Sequence, residues 1–416
     1  MTKQNTANKA VNNLIYYLFC GFSGAIIAVI VWGFLRIMAM GIEFVWSVVP
    51  QKLDFKFYPL IICGAGGLII GIFQKITKTA PEDLETVITK IKKDKFYPYN
   101  KVLILCVSAL LPLILGGSIG PEAGLTGVIA GLCYWAGSHM KYARNKIPEL
   151  MQIGISSTLG AIFYAPLFAL AAPNEERIDS DDKSQSICAS KLVSNLIAVL
   201  CSVGTLYLLR TCFGGNMGLT HIGNYNITNT ERIWGIPLAV LSSALGLLFI
   251  LFKKVCSAFF GKLKNKAGII VSSTLGGVML GIAGTYLPQV MFSGEESIAE
   301  IQQLSNSLAP WLLITTGLVK LLMTNICIES GWKGGHFFPV IFCGISIGFG
   351  VGMITGLDPA FCAAVITAGL LGTTMKKPLS VTLLLLLCFD VRIIPWILIA
   401  ALAGSIMPIG KKKAKT

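Results

Sequence analysis

The chain has 416 residues, of which 54% are hydrophobic and only 13% are charged. A soluble domain carries about 25% charged residues, so this composition leaves too little polar surface to cover a globule and excludes an ordinary soluble enzyme. The 44 glycines follow no three-residue period, which excludes a collagen-like fibre, and the abundant aliphatic residues exclude a disordered chain. The class that remains is an all-α polytopic membrane protein.

The net charge of +14 arises from short lysine clusters at the edges of apolar segments. The clusters lie in residues 75–101, 253–266 and 411–415, and basic flanks of this kind mark the cytoplasmic side of a membrane. The acidic stretch 295–300 contains no lysine or arginine and is expected outside, which places both termini in the cytoplasm. No basic face alternates with aromatic residues, so we expect no nucleic-acid partner.

Cysteine and histidine give no sign of a metal site. The twelve cysteines include no CxxC pair, most lie inside apolar runs, and the chain has only three histidines. The cysteines therefore have the pattern of small buried hydrophobic residues. The apolar segments also lack converging nucleophiles or metal ligands, so we expect no cofactor and no enzymatic activity. A polytopic membrane enzyme is the weakest alternative.

Apolar stretches recur along the whole chain. The first exceeds the roughly 20 residues that a span requires and predicts a tilted or bent helix. Several others are too short for the roughly 30 Å hydrocarbon core and predict helices that end inside the membrane. The stretches are 14–46, 58–73, 102–115, 123–137, 153–172, 192–209, 233–252, 269–287, 311–328, 337–354, 361–371, 379–389 and 393–407.

A polar stretch near the midpoint divides the chain into two comparable halves. Short, interrupted helices at matching places in two halves indicate an inverted-repeat transporter. We predict a first membrane repeat over residues 1–210, an external linker over 211–231, a second, inverted membrane repeat over 232–410 and a basic cytoplasmic tail over 411–416.

The most informative interruption is GGSIGPEAG, residues 116–124, which we name the first break. Its glycines free the backbone from helical geometry, and Pro121 suits the first turn of a new helix. Irregular backbone at membrane depth occurs only where it is buried in protein or lines a cavity. The run therefore predicts a helix start that lines a ligand path, and the alternative is a kink that only lets helices pack closely.

The second break is ESGWKGGHFFP, residues 329–339, about half a chain length further on. The amides of His336, Phe337 and Phe338 stand at a helix start, where backbone N–H groups lack helical acceptors. A weaker third break is KTAPEDLE, residues 78–85, where Pro81 and several acids mark a helix start. Taken alone, the third break is also typical of an ordinary cytoplasmic amphipathic helix.

Helix starts that converge inside a membrane form an anion site, because each carries about half a positive charge and free N–H donors. A cation site would need facing acids, and the intramembrane acids are only Glu122, Asp358 and Asp390. Helix capping and solvated ends explain Asp358 and Asp390. We expect Glu122 to be ionised and to serve mainly as a helix cap, and His336 to face a wet vestibule.

These motifs resemble those of the CLC chloride channels and chloride/proton antiporters. GGSIGPEAG is similar to the family's GxEGP motif, GGHFFP to its GxFxP motif, and TAPEDLE occupies the place of its GSGIPE segment. YAPLFALAAPNEER, YLPQVMFSG and KKPLSVTLLLLL resemble later landmarks, so the resemblance covers residues 14–408. It implies a CLC-like inverted repeat with broken, tilted helices, a homodimer with one pore per subunit, and an inner-membrane location.

The resemblance also implies the transported partner, a small inorganic anion such as chloride, and its site. We expect the backbone amides of Ile119, Gly120, Phe337 and Phe338 to coordinate the anion. The full set of expected anion-binding residues is Gly117, Ser118, Ile119, Gly120, Pro121, Gly335, His336, Phe337, Phe338, Lys78 and Thr79.

The chain departs from the family pattern at the residues that couple anions to protons. Ile119 stands where the family has its gating glutamate, with Glu122 three residues later, and Lys78 stands where it has the central serine. Glu176 matches the internal proton glutamate. Since isoleucine binds no proton, we predict passive, channel-like anion transport. The alternative is a proton-coupled antiporter that uses Glu122 and Glu176.

Overall fold

The structure, a computed structural model, describes residues 2–50, 55–94, 96–140, 146–175, 178, 189–214, 219–223, 228–304 and 309–408. Over these residues the chain is helical, and no strand forms apart from one isolated bridge. The helices are α1 (Thr2–Glu43), α2 (Tyr58–Thr77), α3 (Leu84–Asp94), α4 (Val102–Ile114), α5 (Glu122–His139), α6 (Ile147–Phe163), α7 (Pro166–Ala171), α8 (Ala189–Phe213), α9 (Asn229–Tyr286), α10 (Glu295–Leu304), α11 (Pro310–Ser330), α12 (Phe337–Thr355), α13 (Pro359–Met375), α14 (Pro378–Leu385) and α15 (Ile394–Ile406).

The helices differ in length and burial as a polytopic membrane protein requires. Within the described part of the chain, six helices are long and apolar enough to cross a membrane, and others, including α4, α6 and α13, are shorter. In α12, 83% of the most apolar window is buried, against 28% in α2. The helix that follows the second break is therefore enclosed by other helices, and the predicted all-α membrane fold with short helices is confirmed.

Two predicted spans have different limits. The stretch 153–172 was expected to form one helix, but it divides into α6 and α7 at Tyr164, whose φ is 53°. The next residue, Ala165, precedes a proline, which disfavours helical backbone. Conversely, the helix that contains 233–252 continues to residue 267, and Gly268, with φ 84° and ψ 172°, interrupts the helical backbone of α9 just before 269–287. Lysine is a good helix former, so the basic segment between them continues the helix.

The predicted linker, 211–231, overlaps the end of α8 and the start of α9. The limits of the two repeats remain predictions, and the tail 411–416 lies outside the described residues.

Helices α2 and α9 pack through direct backbone contact. A Cβ on Gly277 would lie 2.1 Å from the carbonyl oxygen of Cys63, and one on Gly67 would lie 2.3 Å from that of Ser273. Small residues allow this close approach, which supplies the dispersion energy that joins helices in a membrane. The contact fixes α2, whose end leads into the third break.

We expect Gly277→Leu to destabilise the protein by about 1–3 kcal/mol, because the side chain would force the two backbones apart. Gly261→Leu is the matched control, since Gly261 lies in α9 before the interruption at Gly268 and has open space around its Cα. The measurement is the thermal midpoint of monodisperse protein in detergent. Equal midpoints for the two variants would contradict the proposed packing.

Candidate functional site

The first and second breaks meet in the folded chain. The Gly120 N–H donates to the Gly335 carbonyl at 2.8 Å, and the Gly335 N–H donates to the Gly120 carbonyl at 2.8 Å. This isolated antiparallel bridge joins two segments that lie far apart in sequence. It brings the starts of α5 and α12 together inside the protein.

Both helix starts offer backbone donors. Helix α5 begins at Glu122 after the N-cap Pro121, and α12 begins at Phe337 after the N-cap His336. Neither cap residue makes a side-chain capping hydrogen bond. The first-turn N–H groups therefore need another partner, and an anionic group is the favoured one.

The carboxylate of Glu122 is that partner for α12. The Phe337 N–H donates to Oε1 of Glu122 at 2.7 Å, and the Glu122 residue is 1% exposed. The second oxygen, Oε2, is buried and has no hydrogen-bond partner among the described residues. Glu122 therefore caps a helix start, as expected, and its side chain reaches across to the positive end of α12.

The two bridging glycines make room for this carboxylate. A Cβ on Gly335 would lie 1.9 Å from Cδ of Glu122, and one on Gly120 would lie 2.0 Å from Oε2. Neither glycine has a φ in the left-handed region. Space for the carboxylate, and not backbone conformation, is what requires glycine at both positions.

Two of the amides expected to coordinate an anion are already occupied. The Ile119 N–H donates to the Gly117 carbonyl at 2.8 Å, and the Gly120 N–H is used in the bridge. This corrects the expected set of coordinating amides, because pairing between the two breaks consumes the Gly120 donor. The amides at the start of α12 remain at the site, and that of Phe337 holds Glu122.

The residues before Gly120 pack the junction of the breaks. Ile119 is fully buried, and a Cβ on Gly334 would lie 2.4 Å from its Cδ1. The Ser118 hydroxyl lies 3.1 Å from that of Thr324 on α11. Thr324 was not predicted, since a threonine inside an apolar helix gives no local signal of its partner.

Aromatic rings surround the start of α12. The Phe338 ring stacks on that of Phe163 with centroids 4.6 Å apart, and the half-buried His336 ring lies 5.8 Å from Phe249 and 4.9 Å from Phe337. Sequence reasoning missed Phe163 and Phe249, because aromatic residues in apolar runs resemble ordinary core. The rings exclude water from the N-terminus of α12, which strengthens its interaction with a charge.

The third break is placed differently from the other two. Lys78 is exposed, has φ 53° and ends α2 by donating its N–H to the Gln74 carbonyl. Thr79 contacts Thr77 and Ser108. No described contact joins Lys78 or Thr79 to the first or second break, so their expected part in anion binding gains no support.

The predicted proton residue Glu176 lies outside the described residues. Its neighbour Glu175 accepts hydrogen bonds from the Leu379 N–H at 2.9 Å and the Ser380 N–H at 2.6 Å. A second carboxylate of the N-terminal half therefore caps a helix of the C-terminal half, in this case α14.

Solved structures share this fold. A slow cyanobacterial Cl-/H+ antiporter superposes with a TM-score of 0.81 and 20% identity, over 94% of this chain and 93% of the other. A CLC-type fluoride/proton antiporter superposes with a TM-score of 0.76 and 17% identity, over 94% of each chain.

Sequence relatives and a family model agree with the fold. Two relatives are each 23% identical to this chain over 357 residues, which span 82% of this chain and 81% of the relative. They are the voltage-gated ClC-type chloride channel ClcB of Shigella boydii serotype 18 (strain CDC 3083-94 / BS512) and that of Escherichia coli O9:H4 (strain HS). The family model for the voltage gated chloride channel matches residues 65–408. Since this match spans most of the chain, including all three breaks, the chain belongs to the voltage gated chloride channel family.

Proposed function

We propose that this multi-pass membrane protein of an anion-transport family carries chloride or a similar small anion, and that the Glu122 carboxylate gates the path. The observation that carries the proposal is the hydrogen bond from the Phe337 N–H to Glu122 at 2.7 Å. A carboxylate and a dehydrated anion present the same charge to the same donor. Both cannot occupy the start of α12, so an anion enters only when the carboxylate leaves.

Protonation is the simplest way to release Glu122. A protonated carboxyl carries no charge and interacts less strongly with the positive end of a helix. Its Oε2 atom is buried without a partner among the described residues, so adding a proton there breaks no existing hydrogen bond. This geometry supports proton-coupled anion exchange, the alternative that the sequence left open.

Passive transport is the second candidate. It is favoured by Ile119, which is fully buried at the junction of the breaks and cannot bind a proton. In that mode Ile119 narrows the path as an apolar constriction, and Glu122 opens and closes it without a fixed exchange ratio.

We further propose a homodimer with one anion path per subunit, two inverted repeats and both termini in the cytoplasm. The family membership supports the dimer and the repeats, and the lysine-rich flanks support the orientation of the termini.

We expect Glu122→Gln to remove the pH dependence of anion flux. In proteoliposomes with valinomycin, wild-type chloride efflux should rise as the pH falls, by up to about tenfold per pH unit for a single-proton gate, while the variant runs at one rate throughout. Glu231→Gln is the control, because Glu231 is also a buried helix-start carboxylate but lies in the capping box of α9. A pH profile unchanged in Glu122→Gln would contradict the gate.

A pH electrode separates the two candidates. Coupled exchange predicts that chloride efflux alkalinises the external solution, and that an imposed proton gradient drives chloride uphill in wild type but not in Glu122→Gln. If wild-type protein carries chloride with no proton movement, exchange is contradicted and passive transport is the function.

The glycine requirement can be tested by compensation. We expect Gly335→Ala to abolish gated flux, because its Cβ would overlap the Glu122 carboxyl. The double variant Gly335→Ala with Glu122→Ala removes the overlap and should regain flux without pH dependence. Strict additivity of the two single effects would show that the residues do not share this space.

A further inference from the structure

Helix α11 contains a lysine in the middle of an apolar span. Lys320 is fully buried, and its Nζ lies within hydrogen-bond distance of the carbonyl oxygens of four consecutive residues. The acceptors are Gln289 at 2.9 Å, Val290 at 3.2 Å, Met291 at 2.8 Å and Phe292 at 3.1 Å. A buried ammonium is costly unless its donors are satisfied, and these carbonyls satisfy them.

The charge of Lys320 is not cancelled by an acid. No described carboxylate lies within ion-pair distance of Nζ, and the nearest ring is that of Phe342 on α12, 4.7 Å from Nζ to its centroid. Carbonyl dipoles stabilise a cation but leave its net charge. In a low-dielectric interior that charge produces a positive potential over several ångströms.

Lys320 is connected to the first break by two routes. The segment 289–292, whose carbonyl groups bind Lys320, ends at Phe292. The Phe292 N–H donates to the Gly116 carbonyl at 3.2 Å. One helical turn after Lys320, Thr324 contacts Ser118 at 3.1 Å. The ammonium therefore binds a segment that contacts the start of the first break, and its own helix contacts the same break one turn after Lys320.

We propose that Lys320 is a positioning residue that sets anion affinity, by fixing the first break and by supplying the positive potential that draws an anion to the start of α12. The inference rests on the proposed anion transport. Helix N-termini attract anions with only partial charges, and the Lys320 ammonium adds to that field.

The test compares the chloride dependence of flux in wild type, Lys320→Met and Lys320→Arg in proteoliposomes. Loss of the charge should raise the KM for chloride by about tenfold with the maximal rate largely kept. Arginine keeps the positive charge, so Lys320→Arg should have a KM within about twofold of that of wild type. A purely structural lysine would instead lower the maximal rate and leave KM unchanged.

Lys376 supplies the matched control. It is also a buried lysine, and its Nζ donates to the Gly404 carbonyl at 3.4 Å and the Ser405 carbonyl at 3.0 Å at the end of α15. Lys376→Met should lower the thermal midpoint without changing KM. If Lys320→Met does not give monodisperse protein, Lys320→Gln keeps a donor, removes the charge and should show the same rise in KM.

An unchanged KM in Lys320→Met or Lys320→Gln, or an equal rise in Lys376→Met, overturns the inference while wild-type flux leaves the proposed function standing. Wild-type protein that carries no anion overturns the proposed function and this inference together.

Discussion

The positive end of a helix buried in a membrane must have a partner, and here the partner of α12 is the carboxylate of Glu122. That contact, 2.7 Å from the Phe337 N–H to Oε1, explains the features around it. Gly120 and Gly335 lack side chains because the carboxylate fills their space, and their bridge fixes the two breaks against each other. The aromatic rings beside Phe338 keep water away. In the proposed function, a transported anion takes the place of the Glu122 carboxylate at the start of α12.

The same rule accounts for three other charged side chains of the fold. Short helices that end inside a membrane expose backbone groups that water cannot satisfy, and charged side chains satisfy them from across the chain. Glu175 binds the N–H groups at the start of α14, as Glu122 does for α12. Lys320 and Lys376 bind carbonyl groups, one before α10 and one at the end of α15. These charges hold helix ends and loops, and at α12 the held end is also the proposed anion site.

Structural features that depend on neighbouring residues could be predicted from the sequence, whereas side-chain contacts between distant residues could not. Glycine and proline determine the conformation of their own backbone, so the first and second breaks and most helices could be identified. The direction of the Glu122 side chain could not, because the N–H that donates to its carboxylate lies 215 residues away. Lys320 resembled any lysine in a helix, since its carbonyl partners lie 28 to 31 residues earlier. Pairing between the breaks also removed the amide of Gly120 from the expected anion-binding set.

The central claim is that the Glu122 carboxylate occupies the place of the anion. Bromide is a close substitute for chloride and is located by its anomalous X-ray scattering. Crystals of wild type and Glu122→Gln soaked in bromide at neutral pH test the claim directly. The account predicts a bromide peak within hydrogen-bond distance of the Phe337 N–H in Glu122→Gln and none there in wild type. Bromide at that amide in both proteins, or in neither, would contradict it.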